Sequence, residues 1–137
     1  MEIYDQYTFL HRHIIIRRVE NTGAFLSMGE SFSGPLKFIF LDILPLLVVI
    51  FGLYFVFTKT DLDKLILTGL VMVIGGGTAN LYDRLVHGSV TDFMHINFGI
   101  FQTGIFNIAD LSITTGLCIM LIRAWTKKKV ETVDADE

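Results

Sequence analysis

Three long apolar runs limit what this chain can fold into. They lie at residues 38–57, 65–82 and 105–122, and each contains at most one Asp, Glu, Lys, Arg or His. A helix of about 20 residues spans roughly 30 Å, which is the thickness of a bilayer's hydrocarbon core. Buried helices of a soluble domain are the alternative, but three of them would leave few polar faces for water in a chain of 137 residues. The sequence therefore predicts an all-α integral membrane helical bundle with three spans.

The overall composition excludes several other classes of protein. Hydrophobic residues make up 52% of the chain and charged residues 18%, which is incompatible with intrinsic disorder. A net charge of -3 with no basic run before the last few residues argues against a nucleic-acid partner. The single cysteine rules out an internal disulfide and a cysteine-based zinc site. No carboxylate completes a ligand set with the four histidines, so we expect no metal and no cofactor.

The segments around the apolar runs suggest how a single membrane domain, residues 1–137, is organised. The isoleucines at 14–16 are β-branched, and a turn signal follows at Asn21-Thr22-Gly23. We therefore predict a small β-structured extracytoplasmic segment over residues 1–35, followed by the helical bundle at 36–125. A small excess of Lys and Arg in the 59–64 connection and after the last run places the tail, residues 126–137, in the cytoplasm.

Several polar residues lie within or beside the apolar runs, where they are costly and usually functional. Asn80 and Arg84 are four residues apart, and Asn107 and Asp110 are three apart, so each pair is predicted to share a helix face. A buried Asp110 needs a partner or a proton, and Asp92 lies on the same predicted side of the membrane. Two carboxylates at one site titrate as a unit, as in aspartic proteases. Because spacing alone does not bring them together, structural capping and ion pairing remain open as the alternative.

Two further features have competing interpretations. The glycines at 75–77 suit a close helix-packing seam. Asp42 lies early in the first run, three residues before Pro45, which favours either a snorkelling or paired carboxylate near the membrane face or a proton pathway. A small proton- or ion-conducting bundle that uses Asp42, Asp92 and Asp110 is therefore one functional hypothesis.

Four sequence blocks in a fixed order indicate a function more specifically than the isolated polar residues do. They are NTGAF at 21–25, GGGTANLYDR at 75–84, VTDF at 90–93 and FNIAD at 106–110. Together they resemble the ordered motifs of the bacterial lipoprotein signal peptidases (signal peptidase II), and the resemblance extends from residue 21 to about 116. It implies a multi-pass aspartyl endopeptidase of the bacterial cytoplasmic (inner) membrane, which cleaves prolipoproteins just before a diacylglyceryl-modified cysteine.

The resemblance also implies roles for individual residues. Asp92 and Asp110 correspond to the catalytic dyad, and Asp83 to a structural partner. The supporting, substrate-binding residues correspond to Asn21, Asn80, Arg84 and Asn107. The implied partners are prolipoprotein substrates, membrane lipid and globomycin-type cyclic peptide inhibitors, which occupy the dyad.

Two departures from the family pattern favour a further hypothesis. The family begins with an additional span, whereas no apolar run precedes residue 21 here, so we expect either a fourth span encoded upstream of Met1 or an open three-span bundle. Gly23-Ala24 also stands where many members have two alanines. A catalytically silent scaffold of the same fold, which binds lipoprotein precursors without cleaving them, is therefore retained as the alternative.

Overall fold

The computed structural model describes residues 6–11, 13–23 and 34–134, with side chains described up to residue 127. Parts of the predicted 1–35 segment and of the 126–137 tail lie outside the described residues, as do Ala24 and Phe25 of the first motif. In chain order the elements are β1 (Gln6–Phe9), β2 (Ile14–Asn21), α1 (Gly34–Phe38), a π-helical turn (Ile39–Ile43), α2 (Leu44–Thr58), α3 (Lys64–His87), β3 (Val90–Ile96) and α4 (Ile108–Asp134).

Three helices among the described residues are long and apolar enough to cross a membrane, which confirms the predicted fold class. They are Gly34–Thr58, Lys64–His87 and Ile108–Lys127. The predicted boundaries of the spans were less accurate. The second helix continues beyond residue 82 through Arg84 to His87, where Gly88 ends it in a left-handed conformation. The third helix begins at Ile108 and not at 105, because the preceding residues pair with β3 instead.

The helices pack in sequence, with α3 in contact with both α2 and α4. At the α3–α4 crossing the backbones approach so closely that a Cβ atom added to Gly69 would lie 2.6 Å from the carbonyl oxygen of Gly116. Of the predicted glycine seam, only Gly76 is pressed against a backbone, at the carbonyl of Ala109, whereas Gly75 has no neighbour within 4 Å of an added Cβ. The close approach therefore holds the first turn of α4 against α3.

An ion pair joins the connection between α2 and α3 to α4, near the end of the third span. Asp63 caps α3 by accepting a hydrogen bond from the backbone N–H of Leu65 at 2.9 Å, and its other oxygen lies 2.7 Å from a terminal guanidinium nitrogen of Arg123. The hydrogen bond from Arg123 lowers the pKa of Asp63 below its ordinary value. This contact ties together the end of the bundle that is opposite the β-sheet.

The three strands form one antiparallel sheet in the order β1-β2-β3. The third strand comes from the connection between α3 and α4, so the β-structure extends beyond the segment predicted at residues 1–35. In β3 the side chains of Val90 and Asp92 are both 2% exposed, two residues apart on one face. The sheet thereby presents a carboxylate towards the end of the helical bundle where α3 finishes and α4 starts.

Candidate active site

The buried polar side chains are concentrated at one place in the described structure. While apolar side chains are exposed along the spans, five polar residues are at most 8% exposed. These five are Asn21, Asn80, Asp92, Asn107 and Asp110. All five are among the six predicted site residues. The interior at this end of the bundle is therefore a hydrogen-bonded polar cluster, which is costly to bury unless every group finds a partner.

A β-bulge orients Asn21 at the site. Ile16 pairs with Met94 and Val19 pairs with Asp92, so β2 has one residue more than β3 in this interval. Such an extra residue shifts the register by one. The side chains after the bulge therefore point to the opposite face from the one that the alternation before it would give them. Asn21 therefore pairs with Val90 and shares a face with Asp92, and its side-chain amide donates to Asp92 Oδ2 at 2.7 Å.

A reversal of the chain after β3 brings Asn107 to the same point. The chain turns at Gly99, where φ is +78°, and runs back along β3. Phe106 and Met94 then exchange backbone hydrogen bonds of 2.9 Å in both directions. As a result Asn107, the next residue, lies beside Asp92 although 15 positions separate them.

The start of α4 fixes Asp110 relative to Asn107. The backbone N–H of Asp110 donates to Asn107 Oδ1 at 3.0 Å, and the backbone N–H of Asn107 donates to Asp110 Oδ2 at 3.3 Å. These reciprocal bonds form a capping box, which satisfies backbone donors at a helix start. Asn107 is therefore the cap of α4 and does not lie within a helix, which corrects the prediction that it shares a helix face with Asp110.

The Asn107 side chain connects the two carboxylates. Its amide nitrogen donates to Asp92 Oδ1 at 2.8 Å and to Asn80 Oδ1 at 3.1 Å. Asn80 in turn donates to Asp110 Oδ1 at 2.8 Å. Within the described residues neither carboxylate forms an ion pair, so amides alone hold the two acidic groups. The structure thus brings Asp92 and Asp110 into one network.

The electrostatic setting of Asp92 favours its neutral form. Burial raises the pKa of the Asp92 carboxyl above its ordinary value. Hydrogen bonds from Asn21 and Asn107 oppose this rise in pKa, whereas the negative charge of Asp110 adds to it. A more distant Arg84 also opposes the rise in pKa, but burial remains the largest cause. A carboxyl in this position keeps its proton to a higher pH than a freely exposed aspartate does.

Arg84, the sixth predicted residue, lies at the edge of the cluster. One terminal guanidinium nitrogen donates to the backbone carbonyl of Gly23 at 2.7 Å, and its Nε is buried without a hydrogen-bond partner among the described residues. Arg84 also lines a cavity of about 150 Å³ together with Asn80 and Asp110. The other walls of that cavity are apolar and include Leu41, Pro45, Gly77 and Ile113.

An apolar cavity adjoins this site. It has a volume of about 230 Å³ and shares Pro45, Gly77 and Ile113 with the cavity at Asp110. Its walls come from the first span, α3 and α4. The polar cluster therefore opens onto space that suits hydrocarbon.

Two other carboxylates singled out in the sequence lie close to Arg84. Asp83 faces the surface, where its Oδ1 is 3.9 Å from Nδ1 of His87. Asp42 lies in the π-helical turn and lines a cavity with Arg84. The proximity of Asp42 to Arg84 was not predicted, because the two residues belong to different spans and no local pattern relates them.

Comparisons with known proteins agree with this architecture. A family model described as Signal peptidase (SPase) II matches residues 1–126. The lipoprotein signal peptidase of Aquifex aeolicus (strain VF5) is 30% identical over 122 residues, which cover 89% of this chain and 70% of that protein. The corresponding protein of Wigglesworthia glossinidia brevipalpis is 34% identical over 122 residues, covering 88% and 76% respectively.

The fold has a counterpart among solved structures. A bacterial membrane enzyme determined by the in meso method at 2.3 Å resolution superimposes with a TM-score of 0.79 and 26% sequence identity, covering 93% of this chain and 75% of that one. The resemblance drawn from the four motif blocks is confirmed by these matches. The chain therefore belongs to the signal peptidase II family, and it is a multi-pass membrane protease.

Proposed function

We propose that this protein is an aspartic endopeptidase that removes signal peptides from prolipoproteins, with Asp92 and Asp110 as the catalytic pair. The observation that supports this most directly is the bridge through Asn107, whose side chain and backbone contact both carboxylates. The two buried acids are joined by amides and form no ion pair among the described residues. The negative charge of one therefore favours the neutral form of the other. That is the arrangement needed for a hydrolysis in which one group accepts a proton while the other donates one.

The two acids differ in environment, and this difference suggests their roles. Asp110 lies in the first turn of α4 and lines the cavity that Asn80 and Arg84 also line, so it borders the space from which water reaches the site. Asp92 lies on the sheet, where burial raises its pKa. We therefore assign Asp110 as the base that takes a proton from water. Asp92 is assigned as the acid that protonates the oxygen of the scissile carbonyl.

The remaining polar residues position these groups and the substrate. Asn21, Asn80 and Asn107 each donate to a carboxylate and restrict its orientation. Arg84 offers a buried Nε–H without a described partner at the edge of the cavity. An arginine donor there suits a carbonyl or ester oxygen of the substrate.

The lipid-modified substrate and the location follow from the shape of the site. The apolar cavity between the first span and α3 suits hydrocarbon from a diacylglyceryl-cysteine or from the signal peptide. We infer cleavage just before that cysteine, inhibition by globomycin-type peptides that occupy the dyad, and contact with membrane lipid. The sheet end of the bundle would face the extracytoplasmic side of the bacterial inner membrane, with the tail, residues 126–137, in the cytoplasm.

Hydrolysis by purified protein in liposomes tests the proposal. The wild-type chain should convert a diacylglyceryl-modified prolipoprotein into a shorter product, measured by mass spectrometry. Asp92→Asn and Asp110→Asn are isosteric and should each reduce the rate by at least about 1000-fold, the size typical of removing an essential catalytic group. Asp61→Asn, in the exposed connection between α2 and α3, is the matched control and should retain the wild-type rate.

Two outcomes would contradict this assignment. Retention of activity in both dyad variants would show that other groups perform the hydrolysis. Binding of the prolipoprotein by the wild-type chain without any product would instead favour the silent scaffold.

A further inference from the structure

Asp42 is a carboxylate that the proposed mechanism does not use. It lies in the π-helical turn Ile39–Ile43 of the first span and is half-buried. Within the described part of the chain it forms neither a hydrogen bond nor an ion pair. A carboxylate partly withdrawn from water at a membrane span is stabilised by a cation that approaches it.

The cavity beside Asp42 carries charges of both signs. It has a volume of about 210 Å³, and Lys37, Asp42, Arg84 and Thr22 are among the residues that line it. In a regular α-helix Lys37 and Asp42, five positions apart, would point about 140° away from each other. The wider π-helical turn reduces this offset and allows both to border one cavity. No pair of described residues in this cavity lies within the 4.0 Å of an ion pair, so space separates the charges.

This charged cavity adjoins the proposed catalytic cavity. Leu41 and Arg84 line both of them, and the second one contains Asp110. Asp42 and Arg84 carry opposite charges and line the same cavity, so each attracts the other across it. Asp42 is therefore within electrostatic range of the site where the peptide bond would be cut.

We propose that Asp42 binds the α-ammonium group that hydrolysis creates on the lipid-modified cysteine. The inference rests on the proposed function. Water adds to the scissile amide, the C–N bond breaks, and one product ends in a carboxylate while the other begins with an amine that takes up the proton. The uncut amide is neutral, whereas both new ends are charged. A cavity with an anionic and a cationic side therefore distinguishes products from substrate.

The two signs of charge also suit the separation of the two new chain ends. The ammonium group is attracted to Asp42, and the carboxylate of the released signal peptide is attracted to Arg84 and Lys37. Ends that are held apart by these residues cannot rejoin. Asp42 thus acts after bond cleavage, as a product-binding residue.

Direct binding measurements test this inference without requiring turnover. The probe is a short peptide that begins with S-diacylglyceryl-cysteine and carries a fluorophore at its C-terminus. One form has a free α-amine and the other is N-acetylated, so that partitioning into detergent micelles is matched. We expect the wild-type protein to bind the free-amine form about fivefold to tenfold more tightly, the size of one partly exposed charge-assisted hydrogen bond.

Variants locate the group responsible for that preference. Asp42→Asn should bring the two affinities within about twofold of each other, Asp42→Glu should keep a preference, and Asp61→Asn should leave it unchanged. Lys37→Gln should strengthen the preference for the free amine, since it removes a cation that repels the ammonium group. This variant tests the inference even if Asp42→Asn does not fold.

Several results would overturn the inference. Equal affinities in the wild-type protein would do so, as would a preference that survives in Asp42→Asn or weakens in Lys37→Gln. Absence of prolipoprotein cleavage by the wild-type chain, measured separately, would instead count against the proposed function, so the two failures are distinguishable.

Discussion

Replacing Asn107 should separate its capping role from its role in joining the two acids. Its Oδ1 caps α4, whereas its Nδ2 donates to Asp92 and to Asn80. Serine keeps an acceptor for the helix cap but lacks the two N–H donors of the amide. Alanine lacks both the acceptor and the donors. We therefore predict that Asn107→Ala and Asn107→Ser lose catalysis to the same extent but differ in stability.

The magnitudes follow from the individual bonds. Loss of a hydrogen bond to the neutral Asp92 carboxyl costs about 0.5–1.5 kcal/mol, and leaving the buried Oδ1 of Asn80 unsatisfied costs about 1–3 kcal/mol more. Loss of the cap adds about 1 kcal/mol in the alanine variant only. Because misplacing a reacting group by about 1 Å costs on the order of 100-fold in rate, both variants should show a kcat reduced by about that factor.

The pH dependence provides a second, independent readout. The hydrogen bond from Asn107 lowers the pKa of Asp92, so its removal raises that pKa further. If Asp92 is the protonated acid, it then keeps its proton to higher pH. The alkaline limb of the kcat profile should consequently move to higher pH in both variants.

The assays are prolipoprotein cleavage in liposomes across the neutral pH range and thermal unfolding in detergent. A serine variant with wild-type kcat and an unshifted alkaline limb would refute the role of Asn107 in coupling the two acids. Equal unfolding temperatures for the serine and alanine variants would refute the capping argument.

Two further predictions concern the stability of the bundle. Gly76→Ala should destabilise it by about 1–3 kcal/mol through overpacking against α4, whereas Gly75→Ala should stabilise it by up to about 1 kcal/mol because nothing opposes its better helix propensity. Shifts of the unfolding temperature in the same direction would contradict the packing argument. Arg123→Gln should lower the unfolding temperature at pH 7, since Arg123 holds the pKa of Asp63 below its unfolded value. That contribution is present above the unfolded pKa of about 3.9 and is lost as the pH falls through the folded pKa, so a pH-independent difference would contradict it.

Local patterns predicted most of the helical architecture. The apolar runs located the three spans, because the transfer of a whole helix into hydrocarbon depends on its own residues and on little else. The helix boundaries were predicted less well. Whether the third helix begins at 105 or 108 depends on the pairing of Phe106 with Met94, a contact across a turn that hydropathy does not register.

The β-structure was likewise predicted only in part from local patterns. β-branched residues indicated a strand near the N-terminus, and β2 is present there. The third strand was missed, although Val90, Asp92 and Met94 alternate in the way of a half-buried strand, since the polar Asp92 occupies the buried face. A hydrophobic pattern cannot reveal a strand whose buried face is polar.

The sequence by itself determined that the chain is a membrane bundle, and its motifs named the six polar residues of the candidate site. Only the tertiary structure decided how those residues meet. Asn21 reaches Asp92 across 71 positions because a bulge reverses one strand face, and Asp42 borders the Arg84 cavity because a π-helical turn redirects it. Membrane insertion is a sum of local transfer free energies, whereas the meeting of distant polar groups depends on register and packing, which no single segment contains.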